Sequence, residues 1–86
     1  MPEIARFYGI VIKMFYEDHN PPHFHAIYGE YEVLIDISTL AVFAGNLPPR
    51  AIGLVIEWAT QHQDELLNNW ERARVQETLS KIEPLK

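Results

Sequence analysis

Three of the chain's four histidines fall within the seven-residue stretch HNPPHFH, residues 19–25, and two prolines lie between them. Imidazole nitrogens can bind a divalent transition metal ion, exchange protons with a substrate, or hydrogen-bond to nearby backbone. The stretch is therefore the first place in this sequence to look for chemistry.

A metal site is one interpretation of this stretch. Residues His23 and His25 have the spacing of two neighbours on one face of a β-strand, about 6–7 Å apart along the chain. Two such histidines can chelate one ion when a loop supplies a third ligand, and Asp18 precedes them. The chain has no cysteine, so histidine and carboxylate have to hold any metal. His23, His25 and Asp18 are the candidate ligands of a divalent transition metal.

Metal-free catalysis is a second interpretation of the same residues. Two imidazoles in opposite protonation states can act as general base and general acid on a phosphodiester, of which RNA is the expected example. The candidate catalytic residues are His19, His23 and His25, with Asp18 or Glu17 to orient them. The N-terminal half offers only Lys13 and Arg6 as cations to stabilise a phosphorane.

A structural role is the third interpretation. Pro21 and Pro22 stiffen the turn, and imidazoles can hydrogen-bond to loop carbonyls or stack on aromatic rings. His62 falls on the apolar stripe of a predicted helix, where a lone histidine is typical of core packing. Its functional alternative is to reach the strand histidines. Residue types and spacing leave these interpretations open.

Strands are predicted through the first half of the chain, which is rich in β-branched and aromatic residues. On the strand predicted at 31–37, Glu32 and Asp36 alternate with apolar residues and face outward, and Gly29-Glu30 is predicted to form the hairpin turn before it. The predicted strands are 4–7, 10–16, 23–28, 31–37 and a shorter one at 40–45. Their inward residues are predicted to be Ile10, Ile12, Met14, Tyr16, Phe24, Ala26, Tyr28, Tyr31, Val33, Ile35 and Ile37.

One long amphipathic helix is predicted for residues 50–74, with a bend near residues 60–64. Pro48 and Pro49 suit its start, because a helix does not use the missing N–H there. We therefore predict an α+β fold, in which a small antiparallel sheet of three or four strands precedes this C-terminal helix and carries it on one face. The apolar stripe toward the sheet is Ala51, Ile52, Val55, Ala59, Leu66, Trp70 and Ala73.

The first half of this helix is apolar over a wider arc than one sheet contact needs. Leu54 and Trp58 lie beside the main stripe. They are candidate interface residues for a small protein partner or a homodimer. The alternative is that the N-terminal strand or the C-terminal tail covers them.

Length and charge narrow the function further. The 86 residues predict a single domain, 1–86, and the net charge of −5 with no basic run disfavours nucleic acid as a direct ligand. No signal peptide or membrane-spanning stretch is visible, so a cytoplasmic protein without membrane contact is expected. No glycine-rich phosphate loop or other cofactor motif is present, so no cofactor is expected, with a divalent transition metal at the histidines as the one alternative.

Several blocks of the sequence carry a family resemblance. FYGIVIKMFY, DHNPPHFHA, GNLPPRA and EWATQHQDELLNNWERA together resemble the small prokaryotic family of domains of unknown function numbered 4160. The resemblance covers nearly the whole chain, and its signature positions here are His19, Pro21, Pro22, His23 and His25. It implies a short stand-alone protein, often encoded beside a small protein of the unknown-function family numbered 2442. That arrangement is similar to a toxin–antitoxin pair.

Two functions are therefore expected. The first is a protein-interaction module, one member of such a two-gene, toxin–antitoxin-like pair. The alternative is a small hydrolase of phosphodiesterase or ribonuclease type that uses His19, His23 and His25, with or without a divalent metal. The sequence leaves open whether the protein is an enzyme.

Overall fold

A five-stranded antiparallel sheet followed by two α-helices forms the protein. The computed structural model describes residues 2–16 and 18–86. The α+β class is confirmed, but the sheet has five strands instead of three or four, and the C-terminal helix is divided in two. The elements are β1 Glu3–Phe7, β2 Ile10–Lys13, β3 His23–Tyr28, β4 Tyr31–Asp36, β5 Val42–Asn46, α1 Pro49–Thr60 and α2 Gln63–Arg74.

The sheet is a meander, with the strands in the order β1-β2-β3-β4-β5 and every neighbour antiparallel. Tyr8 and Gly9 join β1 to β2 with φ of 51° and 78°, and Gly29 begins the turn between β3 and β4 with φ of 60°. Turns with positive φ match the right-handed twist of the strands they connect. Such short turns fix the cross-strand register on which the functional site depends.

The strand β5 corresponds to the shorter strand that was expected at 40–45, and the structure places it slightly later, at Val42–Asn46. All five of its residues are exposed, so its sequence has no alternation between buried and exposed positions. Gly45 adopts φ of +77°, and a Cβ there would lie 2.1 Å from the carbonyl oxygen of Glu32. Backbone pairing with β4, and not side-chain burial, therefore places this strand in the sheet.

The predicted long helix breaks at Gln61 and His62, within the region where a bend was expected. The Gln61 N–H bonds the carbonyl of Trp58, and His62 has a non-helical φ of −133°. Asp64 and Glu65 then occupy the first turn of α2, where negative charge is stabilised by the helix dipole. The prediction of one continuous helix was wrong. The apolar positions of α2 continue the phase of those in α1, so the periodicity gave no sign of this second N-terminus. No helix in the described part of the chain is long and apolar enough to cross a membrane.

The core lies between the sheet and the helices. Most of the predicted inward residues are buried, whereas Tyr16, Tyr28 and Tyr31 are 42%, 40% and 45% exposed. Tyr16 lies beyond the end of β2, and the other two face each other beside the hairpin turn at one end of the sheet. The buried core residues include Ile10, Ile12, Met14, Phe24, Ala26, Val33, Ile35, Ile37, Val55, Ala59, Leu66 and Trp70.

The C-terminal tail, residues 75–86, packs back on the domain without forming a helix or strand. The indole N–H of Trp58 donates to the Glu83 carbonyl at 2.7 Å. The Ile82 N–H donates to the Ile4 carbonyl at 2.8 Å, so the tail covers the outer edge of β1. Asn69 is 1% exposed and its amide forms two hydrogen bonds with the backbone of Ser80. The tail thus covers the part of α1 that carries Trp58.

Candidate metal centre

Asp18, His23 and His25 converge at the start of β3, and we call them the Asp–His cluster. One ligand atom from each of the three lies within 4.8 Å of the other two. The Oδ2 atom of Asp18 is 3.0 Å from Nε2 of His23 and 3.2 Å from Nε2 of His25. The histidines share a strand face because they are two residues apart. The connection between β2 and β3 brings Asp18 over that face.

The other nitrogen of each imidazole is engaged on the outer side of the cluster. Nδ1 of His23 lies 2.8 Å from the Pro21 carbonyl oxygen, and Nδ1 of His25 lies 2.8 Å from Oε2 of Glu32. A carbonyl or carboxylate oxygen accepts hydrogen bonds, so each Nδ1 carries a proton. In the neutral imidazoles, both Nε2 lone pairs therefore face the carboxylate of Asp18.

The two Nε2 lone pairs and the Asp18 carboxylate oxygen repel one another. A proton or a cation between them would stabilise the arrangement. The Nε2 atom of His23 is buried and has no hydrogen-bond partner among residues 2–16 and 18–86, since Asp18 lies near it but outside hydrogen-bond geometry. A proton on Nε2 of His25 would make an imidazolium between two carboxylates. A divalent cation bound by all three atoms would satisfy the buried Nε2 of His23 as well.

Aromatic rings enclose the cluster. Phe15 meets the His25 ring edge-on at a centroid distance of 4.3 Å, and Phe43 and Trp70 each lie 5.3 Å from the His23 ring. The side chains of His23 and His25 are only 4% and 12% exposed. Electrostatic interactions at such a site are stronger than at an open surface, because little water screens them.

The carboxyl group of Asp18 favours its ionised form. Burial acts to raise its pKa, but the His19 backbone N–H, 2.9 Å from Oδ1, acts to lower it, as do the hydrogen bond from His25 and the charge of His23. The net result is a pKa below the ordinary value. An ionised carboxylate is the form that ligates a metal.

The structure places His19 and His62 outside this cluster. The His19 side chain is exposed and only its backbone N–H contacts Asp18. His62 precedes α2, where its Nδ1 lies 2.5 Å from Oε1 of Glu65 and its ring packs on Trp58. Glu17, the other carboxylate considered for orienting the histidines, lies outside the described residues.

Glu32 is the neighbour of the cluster that residue spacing alone did not single out. Its outward orientation was visible from the alternation of β4, but its contact with His25 depends on the register between two strands. The Gly29-Glu30 turn contains that information, because a hairpin turn of known length fixes which residues pair.

The two interface candidates differ in accessibility. Trp58 is fully buried within the chain. Leu54 is partly buried and lines a surface groove of about 460 Å³, together with Tyr8, Tyr28 and Arg50. This groove meets β3 at Tyr28, whereas the Asp–His cluster begins at His23, the other end of the same strand.

Fold and site together define a small α+β domain with a histidine–carboxylate cluster at the start of its third strand. The chain belongs to the family described as a domain of unknown function, DUF4160, whose model matches residues 9–71. The match includes HNPPHFH, strands β2 to β5 and all of α1. No curated protein and no solved structure matches the chain significantly.

Proposed function

We propose that the protein binds a divalent transition metal ion, with zinc as the best fit, through Asp18, His23 and His25. The observation that carries this proposal is the convergence of three donor atoms within 4.8 Å while both Nδ1 atoms are engaged elsewhere. A tetrahedral zinc ion with ligands at about 2.0–2.1 Å holds neighbouring donors about 3.3 Å apart. Asp18 Oδ2 lies 3.0 and 3.2 Å from the two Nε2 atoms, close to this spacing.

Metal content of protein purified without a histidine tag tests this proposal. After incubation with zinc and gel filtration, the unmodified chain should retain about one ion per molecule. Asp18→Asn and His25→Ala should lose it. His19→Ala is the matched control, because it removes a neighbouring histidine whose ring lies outside the Asp–His cluster, and it should retain the ion. Zinc retained equally by all four proteins would contradict the proposal.

A hydrolytic role extends the metal proposal. Structural zinc sites use four protein ligands, whereas catalytic sites use three and leave a position for water. Metal coordination lowers the pKa of such a water to about 7, which generates a hydroxide nucleophile. Lys13 is the direct cross-strand partner of His25 and shares its face of the sheet. Its ammonium group supports a phosphodiester as the substrate class.

Hydrolysis of bis(4-nitrophenyl) phosphate, a generic phosphodiester, tests this extension. Turnover should require added metal, disappear in Asp18→Asn, and decrease in Lys13→Met. A protein that binds zinc but gives no turnover with this probe or with single-stranded RNA would have a structural metal site instead.

A protein-interaction module is the second candidate, favoured by the outer edge of β5. That strand has no charged residue, and Val42 and Phe43 are 39% and 46% exposed. Natural sheets usually protect such edges with charge, proline or a covering segment, as the tail here covers β1 through Ile82. A small protein partner encoded in the same two-gene unit would add a strand to β5.

Co-purification with the product of the adjacent gene tests this second candidate. The complex should form with the unmodified chain and be lost in Val42→Lys, which places a charge on the exposed edge. Val75→Lys is the control, since Val75 is 64% exposed and follows α2 in the sequence, away from β5. A complex that tolerates Val42→Lys would place the interface elsewhere.

A further inference from the structure

The two histidines of the Asp–His cluster are held by different kinds of acceptor. Nδ1 of His23 donates to the neutral backbone carbonyl of Pro21, whereas Nδ1 of His25 donates to the carboxylate of Glu32. We infer that Glu32 is a positioning residue of the metal centre, which acts on the ion through His25 without touching it. This inference rests on the proposed metal binding.

The strand register places Glu32 in this role. In the β3–β4 pair, His25 lies opposite Leu34 and Ile27 lies opposite Glu32. Residues two apart on a strand share a face, so Glu32 is the diagonal neighbour of His25 on the same face. The 2.8 Å distance between Oε2 and Nδ1 shows that the side chain spans this diagonal.

The backbone of Glu32 is fixed from both sides. It pairs with Ile27 of β3 and with Asn46 of β5, and Gly45 packs directly against its carbonyl group. Only the side chain is free to move, and it is 47% exposed. Removing the carboxylate therefore leaves no buried cavity and no unpaired buried charge, so variants at this position should fold.

The carboxylate does two things for His25. It fixes the tautomer with the proton on Nδ1, which leaves the Nε2 lone pair available to a metal ion. Its negative charge also makes the imidazole a stronger electron-pair donor. Loss of such an outer partner typically weakens metal binding by about 10–100-fold. A purely structural ion pair at this exposure would instead affect stability slightly and leave metal affinity unchanged.

Zinc affinity, measured by competition with a chromophoric chelator, tests the inference in Glu32→Ala and Glu32→Gln. We expect affinity to fall about 10–100-fold in Glu32→Ala and less in Glu32→Gln, whose amide oxygen still accepts the hydrogen bond but carries no charge. Glu30→Ala is the matched control, because it removes an exposed glutamate from the same hairpin, and its affinity should match the unmodified chain.

Nitrogen NMR of the histidine rings supplies a readout that a structural role would not change. Where the His25 ring is neutral in the zinc-free protein, its proton should lie on Nδ1, and Glu32→Ala should shift this neutral form toward the Nε2–H tautomer. If the unmodified chain binds zinc and Glu32→Ala binds it equally well, the inference is overturned while the metal site stands. If the unmodified chain binds no zinc, both are overturned.

Discussion

His25 joins two carboxylates that come from different parts of the fold. Its Nδ1 atom lies 2.8 Å from Oε2 of Glu32 on β4, and its Nε2 atom lies 3.2 Å from Oδ2 of Asp18 in the connection before β3. One imidazole ring on β3 therefore couples a loop to the neighbouring strand β4. In the absence of metal this bridge needs a proton on each ring nitrogen, whereas a bound cation takes the place of one proton.

Metal binding should raise thermal stability, because the three ligands come together only in the folded chain. At a free zinc concentration about 100 times the dissociation constant, the gain is about 2.7 kcal/mol. For a domain of this size that corresponds to a rise in Tm of about 10–20 °C. Differential scanning calorimetry with and without zinc measures it. His25→Ala should show no rise, and a rise of similar size in that variant would place the binding elsewhere.

Gly45→Ala should destabilise the sheet edge next to Glu32. The new Cβ would lie 2.1 Å from the Glu32 carbonyl oxygen, and φ is +77°, a conformation that costs other residues about 1–3 kcal/mol. Urea denaturation should show a loss of at least that size.

The chain provides its own control for this substitution. Gly53 lies within α1, and a Cβ there meets nothing within 4 Å. Gly53→Ala should stabilise the protein by about 1 kcal/mol, since alanine favours the helix. Equal effects of the two substitutions would contradict the close approach of β5 to β4.

Asn69→Ala should release the tail from the helices. The buried amide of Asn69 donates to the Ser80 carbonyl at 2.9 Å and accepts from the Ser80 N–H at 2.8 Å. Losing two net hydrogen bonds should reduce the free energy of unfolding by about 1–3 kcal/mol, as measured by urea denaturation. Asn68→Ala removes the exposed neighbouring amide and should change stability little. Unchanged stability in Asn69→Ala would mean that the tail is not held by this contact.

The pKa of Glu3 should respond to Arg6. The hydrogen bond from the Arg6 guanidinium lowers the pKa of Glu3 below its ordinary value of 4.5, against a smaller opposing effect of burial. Because the folded-state value is depressed, the pair contributes to stability above the ordinary pKa, and this contribution is lost as pH falls through the lowered value. Arg6→Gln should return the Glu3 titration, followed by NMR, toward 4.5. Arg74→Gln, which breaks a different exposed pair, should leave it unchanged.

Alternation along β2, β3 and β4 was sufficient to predict most of the sheet core. It failed at Tyr28 and Tyr31, because alternation identifies a face but not how far along the strands the helices extend. The shorter strand expected at 40–45 overlaps β5, but alternation did not support it, because the residues of β5 are all exposed. The break at His62 was missed because the apolar phase continues across it, although the acidic first turn of α2 is a local sign of a helix start.

The cluster itself was largely predictable. The two-residue spacing on a strand placed His23 and His25 together, and Asp18 was the nearest carboxylate in the loop that the structure describes. The ring of His19 lies outside the cluster. Residue spacing does not predict side-chain direction in an irregular loop, because the backbone there has no regular repeat. The contact of Glu32 with His25 could be predicted only from the β3–β4 register. The burial of Trp58 could be predicted only from the path of the C-terminal tail, which has no periodic pattern.

Histidine nitrogen NMR during a zinc titration tests the metal site most directly, because the chain has only four imidazoles to resolve. We expect Nε2 of His23 and Nε2 of His25 to shift together with one equivalent of zinc, while both Nδ1 atoms stay protonated. The rings of His19 and His62 should not change. Zinc that leaves His23 and His25 unaffected, or that binds through His19 or His62, would contradict the proposed centre.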